Sequence, residues 1–141
     1  MKKFLMIMML VVLLSPSIGY TSDCWEVSNL KGYSSYSKDD YMITKDGDAT
    51  DPFFLILDDD NPRISSFGKD YHLTKIGDDI YVIITRNDTF VIIESFMIDR
   101  KNHRVIYVKN RKSVNQGMLS PLQSGSLFVG DCNPCYTRLV K

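Results

Sequence analysis

Residues 80–98 read IYVIITR-ND-TFVIIESFMI and decide the fold class of this chain. Two runs rich in β-branched and aromatic residues flank Asn87-Asp88, a pair typical of tight hairpin turns. With this turn, the opposing pairs are Arg86 with Thr89, Ile84 with Val91, Val82 with Ile93 and Tyr81 with Glu94. Both faces of the two runs are largely apolar, which indicates a central pair of strands.

A second hairpin continues the first. The turn at residues 100–103 leads into an alternating strand over residues 104–109. Pairing in register sets Asp99 against Arg104 and Phe96 against Tyr107, so that opposite charges and two aromatic rings match across the ladder.

The rest of the chain also favours strands. Ala occurs once, at Ala49, and Glu only twice, at Glu26 and Glu94, although both are strong helix formers. Further strands are predicted at residues 24–28, 53–57, 63–67, 71–75 and 127–129. We expect irregular edge strands and loops over residues 28–50 and a long loop over 113–126. The prediction is an all-β domain, a small antiparallel meander of seven or eight strands forming a barrel or a sandwich. Closure into a barrel is attractive because it hides the edge strands.

The N-terminus has the pattern of a secretory signal peptide. Lys2 and Lys3 precede an apolar run from Phe4 to Leu14, and Ser17-Ile18-Gly19 supplies a small-x-small cleavage pattern. We therefore expect a leader over residues 1–19 and one exported domain over 20–141, periplasmic or secreted, with no transmembrane segment after cleavage. Loss of the two leader lysines from 17 basic residues leaves 15 against 17 acidic ones. This balance argues against a nucleic-acid partner.

The chain has three cysteines, Cys24 near the start of the exported domain and Cys132 and Cys135 near its end. We expect Cys24 to pair with Cys132 or Cys135, which makes the first and last strands neighbours. A bridge that spans nearly the whole domain stabilises it by restricting the unfolded chain.

Three other roles for the cysteines are weaker. Cys24 is a candidate lipid-anchor residue, but Asp23 stands where the processing enzyme usually meets a small residue. Cys132 and Cys135 form a Cys-x-x-Cys pair suited to thiol-disulfide exchange, yet the sequence offers no helix to activate the first cysteine. Zinc has only His72 and His103 as further soft ligands.

Other motifs do not support an enzyme. The aspartates of residues 46–51 and 58–60 suggest calcium, but an EF-hand beginning at Asp46 needs an acidic ligand where Leu57 stands. Glu94 is a single carboxylate in the apolar hairpin, without a second catalytic group in the sequence pattern. We expect no metal, no cofactor and no catalysis.

The expected function is therefore binding or inhibition of another macromolecule, a protein or a cell-envelope component. The candidate contact residues are Trp25, Tyr33, Tyr36 and Tyr41, because aromatic side chains give a large contact area at low entropic cost. The alternatives are a lipocalin-like carrier of a small apolar ligand and thiol-disulfide exchange at Cys132 and Cys135. A cavity above about 300 Å³ favours the carrier, and a filled interior favours surface binding.

Overall fold

The structure is a computed structural model that describes residues 23–49, 51–114 and 123–135. These ranges contain ten β-strands and a short 3₁₀ turn at Ser37–Asp39. The strands are β1 (Cys24–Tyr36), β2 (Ile43–Ala49), β3 (Phe53–Ile56), β4 (Arg63–Ser66), β5 (Lys69–His72), β6 (Thr74–Gly77), β7 (Ile80–Arg86), β8 (Phe90–Asp99), β9 (Arg104–Ser113) and β10 (Gln123–Pro134). The predicted signal peptide and most of the predicted loop at 113–126 lie outside the described residues.

All ten strands belong to one antiparallel sheet, which confirms the predicted fold class. The order is β5-β4-β3-β1-β10-β9-β8-β7-β6, and β2 pairs with β1 beside this path. The nine strands of the path curl into a nearly closed barrel. The first and last strands are hydrogen-bonded neighbours, as the cysteine spacing predicted.

The prediction of irregular structure over residues 28–50 was wrong. β1 continues through Tyr36 and β2 adds a strand beside it, because β1 has partners on both edges: β10 on one, and β3 followed by β2 on the other. The polar side chains of this region satisfy one another on the inner side of the sheet. The buried Ser34 hydroxyl donates to the Asp46 carboxylate and lies 2.6 Å from the Ser126 hydroxyl.

The β8–β9 register is the predicted one, with Asp99 opposite Arg104 and Phe96 opposite Tyr107. The β7–β8 register differs from the prediction by two residues, since Ile84 faces Ile93 and Tyr81 faces Phe96. The Asn87 side-chain oxygen accepts hydrogen bonds from the backbone N–H groups of Thr89 and Phe90, both at 2.9 Å. This moves the turn one residue along, to Asp88-Thr89. A shift of two residues keeps every side chain on its predicted face.

The barrel is filled at the end where Cys24 and Cys135 lie. The rings of Phe96 and Tyr107 stack with centroids 5.0 Å apart, and Tyr107 also stacks on Phe128. The buried apolar residues of this core are Trp25, Val27, Leu30, Leu55, Leu57, Leu73, Tyr81, Phe96, Ile98, Val105, Tyr107, Phe128 and Cys132. The interior at this end is therefore a packed core.

The sheet does not close along its whole height. β5 pairs only with β4, and β6 only with β7. These two edge strands follow each other in the chain through Leu73, whose N–H donates to the Pro62 carbonyl at 2.8 Å. The β6–β7 ladder ends at Val82, so within the described residues the remainder of β7, residues 83–86, has no strand partner on that side. A slit is left between β5 and this part of β7.

Candidate functional site

The cysteines form one structural bridge and one buried thiol. Cys24 is bonded to Cys135, which confirms that Cys24 pairs with a C-terminal cysteine. Cys132 is free and fully buried, and burial raises the pKa of its thiol to about 12, so it is protonated at neutral pH. Thiol-disulfide exchange needs Cys132 and Cys135 as an accessible pair, which this pairing does not provide. In the bridged state, the Cys24 sulfur is not free to carry a lipid.

The four aromatic residues predicted as a contact surface do not lie on one surface. Trp25 is only 8% exposed and belongs to the core. Tyr33 and Tyr41 are exposed, whereas Tyr36 is half-buried and lies on the face of β1 opposite to Tyr33. A binding role for the three tyrosines stays a prediction.

A charged cluster over Trp25 was not visible in the sequence. The Arg100 guanidinium lies 5.1 Å from the Trp25 ring centroid and bonds to the carboxylates of Asp79 at 2.6 Å and Asp23 at 2.7 Å. Burial disfavours the charged guanidinium, but these hydrogen bonds outweigh it and raise the Arg100 pKa. The Trp25 indole N–H also donates to Asp23. The cluster covers the filled end of the barrel and has a structural role there.

The outward side of the sheet carries a surface rich in exposed apolar side chains, which we call the outer face. It consists of Ile84, Ile93, Met97, Ile106, Leu127, Val129 and Tyr33, each between 39% and 66% exposed. Cross-strand pairing places these residues next to each other: Ile84 opposite Ile93, Met97 opposite Ile106, and Leu127 between Val108 and Tyr33. Five adjacent strands and four residues along β8 correspond to about 19 Å by 14 Å between Cα positions.

Sequence reasoning missed this surface, although its signal was present. The apolar residues on both faces of β7 and β8 were assigned to a central pair of strands. The barrel interior covers one face only, and no other element of the described chain packs on the second. Apolar patches of a few hundred Å² on small domains are often functional.

Charged residues border the outer face at both ends. At one end Arg104 bonds to Asp131 at 2.6 Å, and Asp99 lies opposite Arg104. At the other end Arg86 and Lys112 flank Val91 in one cross-strand row. Neither of these two cations has a salt-bridge partner among the described residues. This border of the face is therefore positively charged.

The inward side opens at the slit into a cavity of about 320 Å³, which we call the slit pocket. One wall consists of Ile64, Ser66 and Tyr71, and the opposite wall includes Ile83 and Thr85. The remaining lining residues are Phe53, Ile92, Glu94, Phe96 and Tyr107. The interior is thus packed near Cys24 and Cys135 and open at the slit. The cavity volume slightly exceeds the value of about 300 Å³ that favours a carrier.

Among the described residues, Glu94 is the only charged one that lines the slit pocket, and its charge is compensated. The Tyr107 hydroxyl donates a short hydrogen bond to the Glu94 carboxylate, and the Lys109 ammonium lies 3.4 Å from the same oxygen. Burial, the charge of Glu94 and this hydrogen bond all raise the Tyr107 pKa. Tyr107 therefore stays a neutral donor, and the pocket presents no uncompensated charge to a ligand.

Comparisons of the chain with protein-family models, with curated proteins and with solved structures find no match. Across the part of the chain that the structure describes, no helix has the length and apolar character needed to cross a membrane.

Proposed function

We propose that this domain acts by binding another protein through its outer face, and not by catalysis, in the periplasm or outside the cell. The observation that supports the proposal is the group of exposed apolar side chains spread over five hydrogen-bonded strands, of which Met97, Ile106 and Val129 form one cross-strand row. The disulfide agrees with an oxidising compartment.

A sheet face is a suitable platform for such an interaction. Its backbone is held by ladders on both sides of each inner strand, so binding orders little of the protein. The outer face offers a partner an apolar centre bordered by charged residues, which is the arrangement of typical protein interfaces. The cations Arg86 and Lys112 at one border favour a partner whose apolar patch has acidic residues at its edge.

The experiment compares three forms of the tagged protein in affinity capture from a periplasmic extract, with quantitative mass spectrometry. Met97→Lys with Ile106→Glu places opposite charges on a cross-strand pair, which keeps the sheet stable while it interrupts the apolar surface. The matched control is Phe54→Lys. Phe54 is as exposed as Ile106, at 39%, but lies on β3, outside the outer face.

We expect a captured protein that the wild type and the Phe54 variant retain equally, with at least tenfold lower recovery on the double variant. Equal recovery on all three forms, or no protein enriched over the tag alone, contradicts the proposal. Size-exclusion chromatography with light scattering tests whether a second copy is the partner. A dimer that the double variant dissociates would identify it.

A second function, that of a small-ligand carrier, is favoured by the slit pocket. Its volume of about 320 Å³ falls in the range of small-molecule sites, and its lining is mostly apolar with a few polar groups. The pocket lies on the inward side of β7 to β9, so a ligand there leaves the outer face free for a partner.

A further inference from the structure

The side chains beyond the slit pocket point to the class of molecule that it holds. Along the inner side of β9, Tyr107 lines the pocket, Lys109 follows two residues later and Arg111 two residues after that. Residues two apart on a strand face the same side of the sheet at a spacing of about 7 Å. An apolar cavity is therefore followed along one strand by two cations.

Arg111 differs from Lys109 in having no acidic partner. Lys109 is paired with Glu94, whereas no carboxylate among the described residues bonds to Arg111. The Arg111 guanidinium lies over the Phe90 ring, 4.2 Å from its centroid, and cross-strand from the pocket residue Ile92. Stacking on Phe90 holds the planar group in place and leaves its edge N–H donors available to an anion.

We infer that the slit pocket binds an anionic amphiphile, a molecule with one unbranched apolar chain and a carboxylate head, with the chain among Phe53, Ile83 and Phe96 and the head at Arg111. The inference rests on the carrier function above and specifies its ligand. From Tyr107 to Arg111 the strand rises about 14 Å, which suits a medium-length acyl chain. A guanidinium binds a carboxylate through two parallel hydrogen bonds.

The compensated state of Glu94 supports this arrangement. A free carboxylate in the lining would repel an anionic ligand, but the Tyr107 hydroxyl and the Lys109 ammonium both satisfy it. The unpaired positive charge next to the lining is that of Arg111, which lies opposite the lining residue Ile92. Charge therefore favours one orientation of the ligand, with its head at Arg111 and its chain among the apolar lining residues.

Isothermal titration calorimetry with laurate and with dodecan-1-ol tests the inference, because the two have the same chain length and differ in the head. We expect laurate to bind wild-type protein at least tenfold more tightly than dodecan-1-ol. Arg111→Gln should remove this difference by weakening laurate alone. The control Lys101→Gln removes an exposed cation from the turn at residues 100–103, outside both proposed sites, and should leave both affinities unchanged.

The outcomes separate the two levels of the proposal. If neither ligand binds, the carrier function fails and the inference fails with it. If both bind equally well, or if Arg111→Gln and Lys101→Gln have the same effect, the carrier function stands and the anionic head is wrong. Should Arg111→Gln not fold, the pH titration of ¹³C-carboxyl laurate bound to wild-type protein decides. A carboxylate at Arg111 titrates at lower pH than free laurate, and a solvent-exposed carboxylate does not.

Anionic phospholipid vesicles added in place of laurate test the source of the chain. Binding to the vesicles that Arg111→Gln weakens would indicate a bilayer lipid, and no binding would indicate a free fatty acid.

Discussion

Removal of the Cys24–Cys135 bridge should produce the largest loss of stability of any conservative change in this chain. The two cysteines are separated by 111 residues. In the chain-entropy treatment, opening a loop of this length lowers the free energy of unfolding by roughly 5 kcal/mol at 25 °C. With an unfolding entropy of about 2.1 cal/mol/K per residue over the described domain, the melting temperature should fall by about 20 °C.

The assay is urea denaturation of the double variant Cys24→Ser with Cys135→Ser, followed by the fluorescence of Trp25. Trp25 is the only tryptophan and is buried next to the bridge, so its emission reports directly on this part of the core. Reduced wild-type protein should behave like the double variant. The control Cys132→Ala removes a buried sulfur and keeps the bridge, at a cost of about 1 kcal/mol.

Two results would refute the reasoning. One is a double variant that unfolds within about 1 kcal/mol of wild type, since the loop-closure argument would then not hold for this domain. The other is a Cys132 variant that loses as much stability as the double variant, because Cys132 would then be the bridging residue.

Three further predictions concern single positions. Gly32→Ala should lower the free energy of unfolding by at least about 2 kcal/mol in urea denaturation, because an added Cβ would lie 1.9 Å from the Leu127 carbonyl oxygen. The control Gly125→Ala should lower it clearly less, since the nearest atom there is a side-chain oxygen at 3.2 Å. Equal losses would contradict the close approach of β1 to β10. Cys132 should resist iodoacetamide at about pH 8 and react only in urea. Because burial raises its pKa from 9.0 to about 12, its contribution to stability is complete below pH 9 and is lost as the pH rises toward 12, so Cys132→Ala should show a flatter alkaline decline than wild type. Asn87→Ala should lower the free energy of unfolding by about 1 kcal/mol, because two backbone N–H groups of the turn lose their acceptor. The control Asp88→Ala should leave it nearly unchanged. A larger loss for Asp88→Ala than for Asn87→Ala would support the turn at Asn87-Asp88 that the sequence predicts.

The sequence pattern alone predicted the structure correctly where that structure depends on residues close together in the chain. Alternation and turn residues predicted the β8–β9 hairpin with its register, because the loop at 100–103 leaves Asp99 and Arg104 a single in-register pairing. Composition predicted the strand content. The turn of the β7–β8 hairpin was misplaced by one residue, since the Asn87 side chain accepts two hydrogen bonds that residue preferences alone do not specify.

Both candidate sites depend on contacts between distant parts of the chain. The outer face joins residues of β1, β7, β8, β9 and β10, and the slit pocket joins β3, β4 and β5 to β7, β8 and β9. The sequence showed that β7 and β8 are apolar on both sides. It did not show which side the barrel would cover, or that Arg111 would lie opposite Ile92, a residue that lines a cavity.

By itself, then, the sequence determined the all-β class, the β8–β9 hairpin and the pairing of Cys24 with a C-terminal cysteine, because backbone preferences, period-2 alternation and cysteine number are local or countable properties. It missed β2 and the full length of β1, which depend on partners distant in the chain. Only the tertiary structure decided that Cys135 and not Cys132 forms the bridge, that Trp25 is buried, and that the barrel stays open between β5 and β7. These features follow from how a twisted sheet closes on itself. Closure depends on the twist between all neighbouring strands and on the register of every strand pair, so it cannot be predicted from any single segment of the chain.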